Sequence, residues 1–261
     1  SVALASGNDA AVAIAEYIGG SLDEFINMMN EKAAQLGCVN THFVNPNGLH
    51  DENHYTCAYD MALITQEAMK YDKFREIIHT QEYSYPETNL VKEKRYFANH
   101  HGMLMDESRA YDGFIGGKTG YTDEAWNTLV STAERNGMLL ISVVLHAPGQ
   151  DSEYGDTKTV LDYGFDNFSR AAVKEKKEIS FSCLPAEKYL IKDYRKCVLF
   201  YSMKTPSVAL PNDVDTASVK KSYSIQKNPA GRPLLTINYT FNGHQVGTAR
   251  YYPKNSISDL L

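Results

Sequence analysis

The sequence predicts a mixed α/β domain, an antiparallel sheet flanked by helices, followed by a small all-β domain. Three observations carry the prediction. Apolar residues recur at helical spacing through much of the first part of the chain. Two apolar strand patterns in that part, Leu129–Arg135 and Met138–His146, are joined by Asn136-Gly137, a two-residue hairpin signature. After Ala172 the helical period gives way to short alternating strands. The expected division is therefore residues 1–172 and residues 173–261.

Along the chain, Asp9–Ile18 reads as a short helix, with Asp9 as a possible N-cap and Gly19-Gly20 as its stop. Ser21-Leu22-Asp23-Glu24 is a capping box for a second helix, with Phe25, Met28, Met29, Ala33 and Leu36 on one stripe, ending at Gly37. Residues 38–57 hold Pro46, Gly48 and several Asn and His, and read as an irregular loop. Asp60–Lys70 and Lys73–His79 return to the helical period, and a polar extended region leads into Gly113–Gly120. Asp156–Arg170 reads as an amphipathic helix with Val160, Leu161, Phe165 and Phe168 on one side. Lys174–Glu178 reads as a solvated linker. Strands are then expected at Lys188–Ile191, Val198–Tyr201, Leu234–Phe241 and Gln245–Tyr252, the last two joined by Asn242-Gly243.

Composition narrows the function classes. With 261 residues, 43% hydrophobic and 22% charged, the chain has the profile of a globular protein, not a disordered or fibrous one. A formal charge of -6 and the lack of a basic stripe argue against nucleic acid as a partner. No run of about 18 apolar residues could form a spanning helix. The apolar start lacks a basic region and is interrupted by Asn8, Asp9 and Glu16, so it reads as folded protein and not as a signal peptide. Cys38, Cys57, Cys183 and Cys197 contain no Cys-x-x-Cys pair, which excludes zinc-ribbon and thioredoxin-like chemistry; zero, one or two bridges remain open.

Two short elements could carry chemistry: Ser6-Gly7-Asn8 at a helix start, and Gly116-Gly117-Lys118-Thr119-Gly120 before the hairpin. Alone, Ser6 is as readily a plain N-cap and the second element a glycine-rich turn. A phosphate-binding loop fails, because Asp112 stands where its first glycine should be and a strand hairpin follows Lys118. His50 and His54 sit four apart, but in a loop and without the helical glutamate of a zinc motif, so no metal is expected. His100-His101 are a candidate cleft pair, or an ordinary surface loop. Trp126 reads as packing.

Ser-x-Asn followed by Lys-Thr-Gly resembles two of the three signatures of penicillin-binding proteins and serine β-lactamases. The surroundings SGNDAAVAIAEYIGGS, LGCVNTHFVNPNGLHDENHYTCAYDMALI, DGFIGGKTGYT and LLISVVLHAP with DTKTVLDYGF resemble the low-molecular-mass D-alanyl-D-alanine carboxypeptidases, in order through Asn167, with a trailing β-domain also typical of that family. The resemblance implies a penicillin-binding/β-lactamase-like first domain. It also implies acyl transfer on the peptidoglycan stem peptide, acylation by β-lactam antibiotics, no cofactor, and a place in the cell envelope at the outer face of the cytoplasmic membrane. Ser6 would relay a proton to the leaving amine, Asn8 would orient the family's lysine and bond the substrate amide, and Lys118 would supply positive charge. Thr119 would hold the substrate carboxylate, Gly117 and Gly120 would let substrate approach the strand, and the Tyr121 N–H would be one oxyanion donor.

Two departures stand beside the match. The third signature, Ser-x-x-Lys, belongs some tens of residues before Ser-x-Asn, where only five residues precede Ser6. The two such strings present, Ser218-x-x-Lys221 and Ser224-x-x-Lys227, lie after Lys118, in the wrong order, at about the chance frequency. The nucleophile is therefore expected from a separate N-terminal segment, and the chain alone to be inactive. Where many relatives hold an arginine for the terminal carboxylate, counting back from Tyr163-Gly164-Phe165 places Glu153, with no arginine nearby in sequence. A β-lactamase is disfavoured because no Glu-x-x-Leu-Asn string occurs, and a non-catalytic peptidoglycan-binding or scaffold module is the reading from another class. A sheet lacking its N-terminal strands would expose an unpaired edge and an apolar face. The chain by itself is accordingly expected to be of low stability, and a chemical denaturation midpoint ordinary for a mesophilic domain would count against that.

Overall fold

The computed structural model describes residues 1–149, 151–180, 199–202, 204–227 and 233–253. The expected strand Lys188–Ile191, together with Cys183 and Cys197, lies outside the described residues. The chain divides into two compact units, Ser1–Phe165 and Asp166–Leu261.

The first unit opens with helices α1 (Val2–Ala5), α2 (Asn8–Gly19) and α3 (Leu22–Gln35). Ser21 caps α3 as the capping box requires, its Oγ accepting from the Glu24 N–H at 3.2 Å. Asp9 is not a cap: Gly7 holds the N-cap position of α2, and Asp9 lies in its first turn. Residues 38–57 form a loop closed by one antiparallel bridge, His42 to Tyr55. Helices α4 (Ala58–Ala68) and α5 (Asp72–His79) follow, then a short hairpin of β1 (Glu82–Tyr85) and β2 (Arg95–Ala98), and the single turn α6 (Gly102–Met105). A three-stranded antiparallel sheet comes next, β3 (Phe114–Thr122), β4 (Trp126–Arg135) and β5 (Met138–Ala147), in that spatial order.

The β4–β5 turn is the expected Asn136-Gly137, both at positive φ (52° and 74°), as a hairpin matched to strand twist demands. Four consecutive-face residues of β4, Leu129, Ser131, Thr132 and Ala133, are fully buried, so the central strand is covered on both faces. Helix α5 packs against β3 and α4 against β5. Helix α7 runs from Ser152 to Asn167. It starts earlier and stops sooner than its sequence pattern suggested. Leu161 is buried while Val160 is 51% exposed, and Phe168 belongs to a strand.

The second unit is all β in its long elements. Strand β6 (Phe168–Ala172) pairs with β9 (Ser207–Pro211), which draws residues 168–172 into this unit. A five-stranded sheet has the order β10 (Lys220–Lys227), β11 (Pro233–Phe241), β12 (His244–Pro253), β8 (Leu199–Tyr201), β7 (Glu178–Ser180). Asn242-Gly243 makes the β11–β12 turn at φ 48° and 84°. Phe200, Val208, Leu210, Leu235, Ile237, Tyr239 and Tyr251 form its core.

Lys174, Lys176, Lys177 and Glu178 are exposed, as a solvated linker requires, and Glu175 is the exception. The Glu175 side chain is only 12% exposed and ion-paired to Lys221, and the Tyr251 hydroxyl donates to the Lys176 carbonyl at 3.1 Å. Burial, with the Glu175 charge second, pushes Tyr251 up to about 12 and raises Tyr239 as well.

Loop 38–57 is anchored by Asp60 in the first turn of α4, fully buried, whose Oδ2 accepts from the Asn40 N–H (2.7 Å) and Thr41 Oγ1 (2.8 Å). Burial alone would raise Asp60, but the hydrogen bonds, Thr41 foremost, outweigh it and hold the carboxyl below its usual range. Cys38 and Cys57 beside it are free thiols, and burial raises Cys38. Replacing Asp60 with Ala leaves the Asn40 and Thr41 donors without their acceptor. The expected outcome is a lower melting temperature and faster cleavage within 38–57 in limited proteolysis, and an unchanged cleavage pattern would refute the anchoring role.

Candidate functional site

The site is built on the edge strand β3, whose outer side carries no partner strand among the described residues. Its register against β4 sets Lys118 opposite Val130, Thr119 opposite Leu129, Gly120 opposite Thr128 and Tyr121 opposite Asn127. From the distant N-terminus, Ser6 arrives at the end of α1 in the left-handed region (φ 51°, ψ 41°), a conformation uncommon outside glycine that turns the chain sharply into α2. There the two motifs meet. Lys118 Nζ donates to Ser6 Oγ at 2.5 Å and to the Thr119 carbonyl at 2.7 Å. Burial lowers the Lys118 ammonium from its ordinary value.

Ser6, Thr119, Gly120 and Tyr121 line a cavity of about 370 Å³, within the range of small-ligand sites. Lys118 contributes through its contact with Ser6. Gly117 lies one layer below, and Asn8, exposed in the first turn of α2, is not among the described wall residues. The rest of the wall is His100, Asn127, Thr128 and Glu153. Asn127 and Thr128 were legible in principle, since the β3–β4 pairing sets them across from Tyr121 and Gly120.

The histidine pair splits. His100 faces the cavity, whereas His101 is 1% exposed beneath the sheet, with Nε2 3.0 Å from Ser131 Oγ and its ring 4.7 Å from Phe114. A Cβ on Gly117 would collide with the Val130 carbonyl oxygen and stand 2.8 Å from His101 Nε2, so only glycine fits there. The neighbouring segment is pinned: Asn99 Oδ1 accepts from the His101 N–H (2.9 Å), and the Tyr154 hydroxyl accepts from the Gly102 N–H (2.9 Å).

One expectation gains a spatial complement and one needs correction. An arginine is close to the Glu153 region in space though not in sequence: Arg109 Nη2 donates to Asp151 Oδ2 at 2.9 Å, and its guanidinium lies 5.1 Å over the Tyr154 ring. Trp126 is not packed away. It is 43% exposed, at φ 55°, and stacks on His146 with ring centroids 4.1 Å apart.

Burial, reinforced by the Lys118 charge, pushes His101 down to about 4 against an ordinary 6.5, although a hydrogen bond with the Val130 backbone opposes this. Below pH 6.5 the unfolded chain takes up a proton that the folded protein accepts only near pH 4. The His101 contribution to stability is therefore fully present above pH 6.5 and is lost as pH drops toward 4, by about 3 kcal/mol in all. Urea titrations between pH 4 and 7 should show this slope in the native protein and a smaller one in His101→Gln; identical slopes would refute the assignment.

A family model described as D-alanyl-D-alanine carboxypeptidase, peptidase family S11, matches residues 1–149. The chain is 34% identical over 227 residues to the D-alanyl-D-alanine carboxypeptidase DacF of Bacillus subtilis, covering 87% of this chain and 56% of the relative. It is 31% identical to DacA of Haemophilus influenzae, covering 99% of this chain and 64% of the relative. It therefore spans less than two thirds of the length of either. Among solved structures, the Streptomyces K15 DD-transpeptidase aligns with a TM-score of 0.59 at 33% identity, over 63% of this chain and 65% of that one. Penicillin binding protein 5 of Haemophilus influenzae aligns at 0.60 and 28%, over 95% and 70%.

Proposed function

Since the chain belongs to the D-alanyl-D-alanine carboxypeptidase family, we propose that it is the part of a serine-type enzyme that binds the peptidoglycan stem peptide and assists release of its terminal D-alanine. The observation that carries this reading is the Lys118–Ser6 hydrogen bond, which joins two motifs 112 residues apart in sequence. Lys118 Nζ donates into the Ser6 oxygen, so the hydroxyl hydrogen of Ser6 remains available to the departing amine. Ser6 thereby hands on a proton as the peptide bond breaks. The ammonium, partly withdrawn from water, stabilises negative charge on the attacked carbonyl more strongly than it would in solution. The free side of β3 takes substrate as an added strand, with the Thr119 hydroxyl at its terminal group and the Tyr121 N–H toward the developing oxyanion. Asn8 bonds the peptide amide.

The nucleophilic serine and its lysine come, in this reading, from a segment outside these 261 residues. Both internal Ser-x-x-Lys strings reach into β10 of the second unit, where Lys221 is engaged by Glu175. Penicillins acylate the assembled enzyme, which works outside the cytoplasm on the cell wall and so bears on cell shape. Membrane association at the outer face fits that role, and no helix among the described residues is long and apolar enough to cross a membrane.

Intact mass spectrometry of the full-length protein after incubation with a penicillin tests the proposal. One covalent adduct is expected, forming at least roughly 100-fold more slowly in Lys118→Ala. Acylation at an unchanged rate in that variant would overturn the role given to Lys118, and no adduct at all would favour a non-catalytic binding module.

A further inference from the structure

Formal charge divides sharply between the two units. Residues 166–261 hold 15 Lys and Arg against 8 Asp and Glu, a formal charge of +7, whereas residues 1–165 hold 11 against 24, a formal charge of -13. Part of the surplus is gathered at one place in the second unit. Beyond the β6–β9 pair the two segments run on side by side: the Val173 N–H donates to the Pro206 carbonyl at 2.9 Å, and the Ser202 N–H to the Lys177 carbonyl at 3.0 Å. These bonds bracket Lys174, Lys176 and Lys177 on one segment and Lys204 on the other, all four exposed. The Ser202 hydroxyl donates to the Lys204 carbonyl at 2.9 Å, which ties down that backbone too. Glu175 does not offset the cluster, because its carboxylate is turned inward and ion-paired to Lys221. Glu178, at the start of β7, is an exposed acid beside the four lysines, and the cluster stays positive.

The kind of partner follows from what surrounds these charges. The exposed large hydrophobic side chains among the described residues, from Val2 to Tyr163, all belong to the first unit. The described part of the second unit therefore lacks both the aromatic anchors of a protein interface and an apolar face that could enter hydrocarbon. What it can do is meet a polyanion through charge. A dissolved polyanion would also meet the first unit, whose negative charge repels it. A sheet of anionic headgroups differs, because its field decays within about 8 Å at physiological salt and acts on the residues that touch it. We infer that the cluster of Lys174, Lys176, Lys177 and Lys204 is a docking surface for an anionic phospholipid bilayer, which the second unit meets peripherally and without insertion. Each lysine near such a surface contributes about 5-fold in partitioning. The inference takes from the carboxypeptidase reading only its extracytoplasmic setting and uses none of its catalytic residues.

Co-sedimentation of the full-length protein with phospholipid vesicles tests it. The native protein should partition onto vesicles containing phosphatidylglycerol, come off at about 0.5 M salt, where screening is severe, and ignore pure phosphatidylcholine. Lys174→Gln with Lys176→Gln should weaken partitioning roughly 25-fold, and adding Lys177→Gln and Lys204→Gln should take the loss beyond about 100-fold. Lys92→Gln with Lys94→Gln removes the same net charge from exposed positions of the first unit and should change partitioning less than about 2-fold. Melting temperatures measured alongside confirm that the variants compared are folded. Binding to phosphatidylcholine, salt-resistant binding, or equal losses in the two double variants overturns the inference. So does release from anionic vesicles by soluble polyphosphate at matched phosphate content, which would make the partner a dissolved polyanion. The penicillin adduct is read separately: its absence beside intact vesicle binding overturns the carboxypeptidase reading alone.

Discussion

The missing side chain at Gly117 is the constraint on which the first unit turns. It lets β3 settle directly over the Val130 carbonyl and the buried His101 ring. With β3 held at that height, its register against β4 fixes Lys118 and Thr119, and the ammonium comes within reach of Ser6. Polar contacts tie the layer below to the strand: Ser131 bonds His101, and Thr132 Oγ1 donates to the Gly116 carbonyl at 2.8 Å. A core of this kind specifies one register more sharply than an apolar one of equal area, because slipping the strand would leave these hydroxyls unpaired.

The two units hold together by different means. In the first, helices cover a three-stranded sheet, and buried polar groups such as Asp60, Asn99 and His101 position loops through hydrogen bonds to backbone. The second relies on interleaved apolar side chains from strands of both its sheets, with Glu175 as the one deep carboxylate described there, matched to Lys221 and lying beside the Tyr239 and Tyr251 phenols. In the first unit the polar groups thus have dipoles fixed in direction, whereas the second is held chiefly by apolar contact.

Much of this was legible in the sequence, for identifiable reasons. Asn136-Gly137 and Asn242-Gly243 adopt the positive φ values that their residue types favour, so both hairpins could be read directly. The Ser21 cap could be read because capping is local. What escaped depends on tertiary placement. The sequence of Lys174–Glu178 looks solvated, yet Lys221, some 45 positions on, draws Glu175 inward. His101 and His100 are neighbours of one type, and only the β3–β4 layer decides which is buried. Arg109 reaches the α7 region across 42 residues, a distance at which no spacing rule operates. The end of the long helix was misplaced because residues 168–172 carry an apolar pattern that serves a strand once Ser207–Pro211 is available to pair with it.

Trp126 is the chain's single tryptophan, and it sits face to face with His146 at an interplanar angle of 10°, where β4 begins and β5 ends. An imidazole in van der Waals contact with an indole quenches its emission, most strongly when protonated. The protein thus carries a built-in optical label at one corner of the three-stranded sheet, beside Asn127 of the cavity wall. Its fluorescence follows the first unit and is silent about the second, whose unfolding has to be watched through tyrosine or backbone signals. Disagreement between those two signals on denaturation would be direct evidence that the units melt as separate cooperative blocks.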